Sequence, residues 1–171
     1  MSPHDEKQIR RWSEDHDAEV AIRRVKTADD RDKDFEIFCA ELTRLAPNVR
    51  IETARDDAGA EAYPALRIGE SIRYHAIPLG KELAPFLELL AKTANGAPTV
   101  EGPAGEALER LRLPAQLRLY IMPHCPFCPE MVRRMTPLSL ANDRLRLSVI
   151  DGSLFPEMAE ADDVRSAPTL I

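Results

Sequence analysis

The sequence is poor in aromatic residues, and it lacks both a long apolar run and a concentrated basic segment. Aromatic residues make up 5% of the 171 positions, so the core must be mostly aliphatic. No apolar stretch approaches the roughly 18 residues of a membrane-spanning helix, and the charged first residues do not resemble a secretory signal. With 23 Lys+Arg against 29 Asp+Glu, the net charge of −6 argues against nucleic-acid binding. These absences predict a cytoplasmic protein with no membrane or nucleic-acid partner.

Cysteine is also scarce, and its three positions are Cys39, Cys125 and Cys128. In the cytoplasm glutathione and thioredoxin keep thiols reduced, so structural disulfides are rare there. A close cysteine pair in such a protein is therefore interpreted as catalytic or metal-bound.

The apolar pattern predicts an α/β protein whose two halves repeat one order of elements. Residues 1–94 carry strands and amphipathic helices in the order β-α-β, then β-β-α, and residues 95–115 form a linker and connecting helix. Residues 116–171 begin the order again. Pro64 and Pro168 each open a strand at the same place in it, which indicates two copies of one unit.

The two copies differ in length after these prolines. Three residues follow Pro168, whereas a hairpin strand and a helix ending near Ala94 follow Pro64. By symmetry we expect the second unit to continue to about residue 198. Without that continuation the second unit is truncated, and its sheet would lack its far edge and part of its helix cover.

The segment 120–129 joins a predicted strand to a predicted helix and contains Cys125-Pro126-Phe127-Cys128. At the first turn of a helix, free backbone N–H groups and the helix dipole stabilise a thiolate, here that of Cys125. Cys128 lies one turn further on, within reach of the same sulfur, as the resolution of a mixed disulfide requires. Pro126 restricts the loop. His124 either adds positive character beside Cys125 or is a solvated loop residue.

A structural zinc site is the alternative interpretation of a Cys-x-x-Cys pair. Zinc takes four ligands, and the rest of the chain offers Cys39 and four histidines, none at the spacing of a second ligand pair. We therefore assign no metal ligand. A bridging iron-sulfur cluster at Cys125 is a further alternative, which the stiff Pro126 disfavours.

One order of elements resembles that of the thioredoxin and glutaredoxin superfamily. It consists of a strand, the Cys-x-x-Cys junction, a helix and a strand opened by proline. Cys125-Pro126-Phe127-Cys128 is similar to the Cys-Pro-Tyr-Cys of glutaredoxins. Two such units in tandem resemble the protein disulfide oxidoreductases and the N-terminal domain of the flavoprotein subunit of alkyl hydroperoxide reductase. The segments that carry this likeness are 72–83, 122–129, 155–157 and Ala167-Pro168.

The resemblance implies thiol-disulfide exchange in which Cys125 attacks and Cys128 resolves, with no cofactor. Pro168 would be a cis-proline that faces the dithiol and leaves the Ala167 backbone free to pair with a substrate, while Pro126 and Phe127 shape access. A flavoprotein reductase or a small thiol would supply electrons, and protein disulfides or a peroxiredoxin would accept them. The alternative is an electron-relay or docking domain that serves such a reductase or peroxiredoxin.

The first unit departs from the family pattern. The aspartate-rich segment 28–34 stands where the cysteine pair would be, so we expect this unit to be redox-silent, a scaffold or docking surface whose aspartates cap the following helix. Cys39 falls on the apolar stripe of that helix and is interpreted as a buried inert thiol. The buried carboxylate of thioredoxins would fall near Leu119, so proton transfer to Cys128 must use another group or water.

Overall fold

The computed structural model describes residues 1–55, 62–96 and 98–171. Its elements in chain order are α1 (Pro3–Glu14), β1 (Val20–Lys26), α2 (Asp32–Leu45), β2 (Val49–Arg55), β3 (Ala65–Ile68), β4 (Ile72–His75), a 3₁₀ turn (Gly80–Glu82), α3 (Leu83–Ala94), α4 (Gly102–Arg110), β5 (Ala115–Ile121), α5 (Cys128–Ala141), β6 (Leu145–Asp151), α6 (Pro156–Ala161) and β7 (Thr169–Leu170).

One mixed sheet contains all seven described strands, in the order β2-β1-β3-β4-β6-β5-β7. The junction is between β4 and β6, which pair in parallel with Tyr74 opposite Val149. The expectation that the second half forms a separate sheet is therefore wrong. One edge of β4 is not paired within the first half. Strand β6 pairs with the N–H and C=O groups along that edge of β4 and so extends the same sheet.

The two halves repeat one strand arrangement. In each half the first strand is central, with the second strand parallel on one side and the strand after the proline antiparallel on the other. The predicted hairpin is present, since β3 and β4 pair across the turn at Gly69 with Ile68 opposite Ile72.

The helices α1 to α5 pack against one another and cover one face of the sheet. Helices α2 and α3 contact β1, α5 contacts β4 and β6, and α3 packs directly on α5. Alternation along the strands explains this layer, because Val20 and Ile22 point into it and are at most 2% exposed. The core is mostly aliphatic, as the composition indicated.

The start of α2 differs from the prediction that its aspartates cap the helix. The N-cap is Arg31, whose own side chain caps no N–H group, and of the aspartates only Asp29 accepts a backbone N–H at this start, that of Arg31 at 2.9 Å. Asp32 instead forms a buried ion pair with Arg24 (3.2 Å), and Asp29 binds Arg31. These carboxylates share the two arginines with others, since Arg24 also contacts Glu36 and Arg31 also binds Glu157.

The 3₁₀ turn that precedes α3 is held against the N-terminal helix. Gly80 has φ of +60°, a backbone conformation that favours glycine, and its N–H donates to Asp5 Oδ1 at 3.1 Å. Asp5 also completes the capping box of α1 with Ser2. This turn fixes the position of Glu82, its last residue.

Candidate functional site

The two cysteines of the Cys-x-x-Cys motif lie together where β5 leads into α5. Cys125 and Cys128 form a disulfide with their Cα atoms 5.5 Å apart. The helix begins at Cys128 rather than at Cys125, three residues later than the sequence predicted. The reason is local: the turn between them closes with the Cys128 N–H donating to Cys125 Sγ at 3.1 Å, and Pro129 lies in the first turn of the helix, where a missing N–H costs nothing.

The two sulfurs differ in accessibility. Cys128 is fully buried, whereas Cys125 is 9% exposed. Of the two cysteines, Cys125 is therefore the one closer to an incoming thiolate or disulfide. The hydrogen bond from the Cys128 N–H and the N-terminal position on α5 favour a negative charge on Cys125.

The strand opened by proline packs against the disulfide. Cys125 Sγ lies 3.6 Å from the carbonyl oxygen of Ala167. The bond between Ala167 and Pro168 is a cis peptide bond, as the resemblance implied. Thr169 then pairs with Tyr120, which ties this segment to the strand that leads to Cys125.

Apolar side chains surround the entrance to Cys125. Phe127 is 69% exposed and Met122 is 41% exposed, both unusually high for side chains of this kind. Beside them a cavity of about 180 Å³ is lined by Met122, Pro156, Val164 and Ala167, among others. Pro126 is exposed on the same turn. The surroundings of the dithiol are therefore suited to apolar groups of a partner.

His124 is exposed, and its ring makes no hydrogen bond with any residue in the described part of the chain. Its backbone oxygen instead accepts from Lys81 Nζ at 3.4 Å. This contact brings the 3₁₀ turn of the first half against the cysteine turn of the second.

A buried carboxylate, Glu82, follows Lys81 on that turn. It is 3% exposed, and within the described ranges neither of its carboxylate oxygens has a hydrogen-bond partner. Burial raises the pKa of the Glu82 carboxyl to about 7. Arg133 of α5 lowers this pKa by a smaller amount, and Asp151 raises it. Asp151 ends β6 directly opposite Ile121, the last residue of β5. Glu82 therefore lies near the carboxyl ends of β5 and β6, where the cysteine turn begins.

Sequence reasoning missed Glu82 because it comes from the other half of the chain. Leu119, where a carboxylate was expected by analogy, is fully buried and apolar. The local signal for Glu82 is weak, a single glutamate before an amphipathic helix, and its burial depends on the packing of α3 against α5.

In the first half, the turn before α2 carries Asp29 and Asp32 at the spacing of the two cysteines. Arg31 of this turn donates to Asp29, to the Leu154 oxygen (2.7 Å) and to Glu157. Its guanidinium also lies 4.3 Å from the centre of the Phe155 ring. The turn therefore contacts segment 154–157 of the second half.

Cys39 lies in α2 on the buried face, 5% exposed. Burial raises the pKa of its thiol to about 12, which opposes formation of a reactive thiolate at neutral pH. This agrees with the interpretation of an inert thiol.

The described residues contain no group of three or more His, Cys, Asp or Glu that could hold a metal ion. No helix among them has the length and apolar character needed to cross a bilayer.

Comparison with curated proteins gives relatives at low identity. The chain is 24% identical over 150 residues to the F subunit of alkyl hydroperoxide reductase from Pseudomonas aeruginosa, a match that covers 85% of this chain. It is 21% identical over 154 residues to an NADH dehydrogenase of Bacillus subtilis, a match that covers 89% of the chain. The chain spans only 29% and 30% of these two proteins. No family model matches it.

Solved structures share the fold over nearly the whole chain. The NTD_N/C domain of alkyl hydroperoxide reductase from Enterococcus faecalis superposes with a TM-score of 0.81 at 19% identity, covering 100% of this chain and 89% of that one. A protein disulfide oxidoreductase from Aeropyrum pernix gives 0.76 at 17% identity, covering 99% and 83%. The chain is thus a thioredoxin-fold protein whose relatives and structural neighbours include the F subunit of alkyl hydroperoxide reductase and a protein disulfide oxidoreductase.

Proposed function

We propose that this chain exchanges electrons between thiols and disulfides through Cys125 and Cys128. One observation carries the proposal: a cysteine pair closes at the N-terminus of α5, and its first cysteine is more exposed than its second, 9% against 0%. A structural disulfide needs no such asymmetry. An exchanging pair does, because one sulfur must meet the partner while the other waits behind it.

The reaction in the reducing direction starts from the Cys125 thiolate and the Cys128 thiol. The Cys125 thiolate attacks one sulfur of a substrate disulfide, so a mixed disulfide forms and one substrate thiolate leaves. Cys128 loses its proton and attacks Cys125 Sγ, which expels the second substrate thiolate. Two electrons pass from the dithiol to the substrate, and the pair ends as the Cys125–Cys128 disulfide.

Glu82 is the proposed acceptor of the Cys128 proton, directly or through water. A carboxylate with a pKa of about 7 can take up and return a proton near neutral pH. Its position supports this role, because the turn that holds it contacts α5 and the cysteine turn. The carboxylate thereby replaces the one that is absent at Leu119.

Substrate binding is assigned to the surface around Cys125. The Ala167 backbone offers hydrogen-bonding groups to an extended segment of the substrate, and Pro168 directs that strand toward the sulfur. Phe127 and Pro126 supply apolar contact on the opposite side, and His124 modulates the charge near the thiolate. Protein disulfides, rather than small polar ones, fit such a surface.

The donor and acceptor are proposed from the names of the relatives. The F subunit of alkyl hydroperoxide reductase and NADH dehydrogenase point to a flavoprotein reductase as donor and a peroxiredoxin as acceptor. Since the chain spans less than a third of these proteins, a relay domain within a larger system is the second candidate function. A cytoplasmic setting belongs to the same proposal.

The tandem arrangement is also part of the proposal. Residues 1–94 would form a unit without a cysteine pair and residues 116–171 the redox unit, joined by residues 95–115. The repeated strand arrangement supports this division, and so does the matching place of the Asp29 and Cys125 turns. The first unit then acts as a scaffold that supplies Glu82.

The test is reduction of insulin disulfides by the wild type, Cys125→Ser and Cys128→Ser in the presence of dithiothreitol. We expect no turnover with Cys125→Ser, and a trapped mixed disulfide with Cys128→Ser because its resolving thiol is missing. Cys39→Ser is the matched control and keeps full activity. Activity in Cys125→Ser would refute the mechanism. In a separate pull-down with Cys128→Ser, many trapped partners would favour the enzyme and a single trapped partner would favour the relay.

A further inference from the structure

A row of arginines crosses the face of the sheet that the helices α1 to α5 leave uncovered. Arg23 of β1 lies opposite Arg67 of β3, and Arg67 lies opposite Arg73 of β4. Ser148 of β6 continues the row, followed by Arg118 of β5. Neighbouring strands are about 4.8 Å apart, so the row from β1 to β5 is roughly 19 Å long.

Alternation along the strands shows which face this is. The neighbours of Arg23 along β1, Ile22 and Arg24, are buried under the helices, where Arg24 pairs with Asp32. Arg23 therefore points to the opposite face. At the far end of the row Arg118 pairs with Asp162, which follows α6. Only this end of the row has a described helix beside it.

Two arginines of the row, Arg23 and Arg67, lack a close ion pair. Arg23 has none with any residue in the described ranges, although Glu52 lies opposite it on β2, and Arg67 has one long contact of 3.9 Å with Glu70, whose side chain is 80% exposed. Like charges directly opposite each other on neighbouring strands destabilise a sheet. The protein nevertheless places them here, on a chain whose net charge is −6.

A groove of about 400 Å³ adjoins the row. Arg73, Ser148 and Arg118 form part of its lining, and Tyr63 and Tyr120 contribute aromatic walls. Two carboxylates also line the groove, Glu157 and Asp162, and both are already paired with arginines. Positively charged and aromatic groups together are typical of surfaces that bind charged protein segments. The groove lies over the β4, β6 and β5 part of the row, so both features belong to one surface.

We propose that this surface, the arginine row with its adjoining groove, docks an acidic helix of a partner protein. Along a helix, residues at i and i+3 or i+4 are about 5 Å apart in rise, which matches the spacing of the strands. Glu52, opposite Arg23, bounds the row at one end, and Asp162 bounds it at the other. A short row between acidic ends fits a short anionic segment, whereas a long nucleic acid would meet repulsion at both ends. This inference goes beyond the exchange reaction, which uses none of these arginines.

The experiment measures binding of a labelled Ala-based peptide of about 20 residues with Glu at every fourth position, long enough to be helical. We expect Arg23→Gln/Arg67→Gln to bind it about tenfold more weakly than the wild type, since two surface ion pairs are lost. Arg23→Lys/Arg67→Lys keeps the charge and most of the affinity. Arg110→Gln, an exposed arginine of α4, is the matched control and changes nothing.

Three outcomes overturn the proposal. One is equal or absent binding of the Glu peptide by the wild type and by Arg23→Gln/Arg67→Gln. Another is tighter binding of a single-stranded oligonucleotide than of the peptide, which would assign the surface to nucleic acid. The third is a wild-type dimer in sedimentation that this variant loses, which would assign it to self-association. Thermal unfolding of each variant checks the fold, and we expect the Gln variant to melt no lower than the wild type because repulsion is relieved.

Discussion

Glu82 makes the stability of this protein depend on pH in a direction opposite to that of an ion-paired surface carboxylate. Its pKa is about 7 in the folded chain, against an ordinary value of 4.5. Below pH 4.5 Glu82 is protonated in both the folded and the unfolded chain, so it does not change the free energy of unfolding with pH. Between the two values the unfolded chain loses the proton and the folded chain keeps it, so the free energy of unfolding falls as pH rises.

The magnitude follows from the shift. A difference of two to three pKa units corresponds to a destabilisation of about 3 kcal/mol, which is fully present above pH 7. Glu82 is 3% exposed, so solvent screens this effect little. Replacing it by Gln removes the titrating group but keeps the shape, so we expect Glu82→Gln to match the wild type near pH 4.5. Near pH 8 the variant should be more stable by up to about 3 kcal/mol.

The assay is urea denaturation of the oxidised protein at several pH values, with the disulfide intact throughout. Glu109→Gln, at an exposed position of α4, is the matched control and should follow the wild-type curve at every pH. Parallel pH profiles for Glu82→Gln and the wild type would refute the assignment of a buried, unpaired carboxylate. The same variant should also shift the pH dependence of insulin reduction, because the proposed proton acceptor is lost.

Three further predictions concern other parts of the molecule. Arg31→Ala should lower the free energy of unfolding by roughly 2 kcal/mol in urea denaturation, because bonds to Glu157 and the Leu154 oxygen are lost; the exposed Arg10→Ala should not. Cys39 should stay unmodified when reduced native protein is treated with iodoacetamide at about pH 7.5, while Cys125 reacts, because burial raises the pKa of the Cys39 thiol whereas the Cys128 N–H and the N-terminus of α5 favour the Cys125 thiolate; rapid labelling of Cys39 would contradict this difference. Phe127→Ala should slow insulin reduction several-fold and leave reduction of a small polar disulfide unchanged, since a protein segment can cover the exposed ring whereas a small polar disulfide gains little from it.

Short-range patterns explain why much of the fold could be predicted. Alternating apolar residues at Leu117, Leu119 and Ile121 indicated the strand before the cysteines, and the structure has β5 there. The turn at Gly69 indicated a hairpin, which is present. Such features depend on residues close in sequence, whose geometry is fixed by strand alternation and turn chemistry. Helix starts were less accurate, since the starts of α2 after Arg31 and of α5 at Cys128 depend on contacts that the pattern does not contain.

The contacts between the halves could not be predicted in this way. The parallel pairing of β4 with β6 joins strands with similar apolar patterns, and nothing in either strand specifies its neighbour. Arg31 and Glu157 are 126 positions apart, and their bond forms only because the second half covers the turn before α2. Arg23 and Arg67 likewise become neighbours through strand pairing alone.

The sequence by itself determined the chemistry of the site, because a dithiol at a strand-to-helix junction needs only two cysteines three residues apart. It also determined that the first half has no such pair. Only the tertiary structure decided which cysteine is the more exposed, and only it brought the turn that holds Glu82 in the first half against the cysteine turn. The physical reason is that burial and charge pairing depend on distance in space, and the sheet that joins the two halves sets those distances.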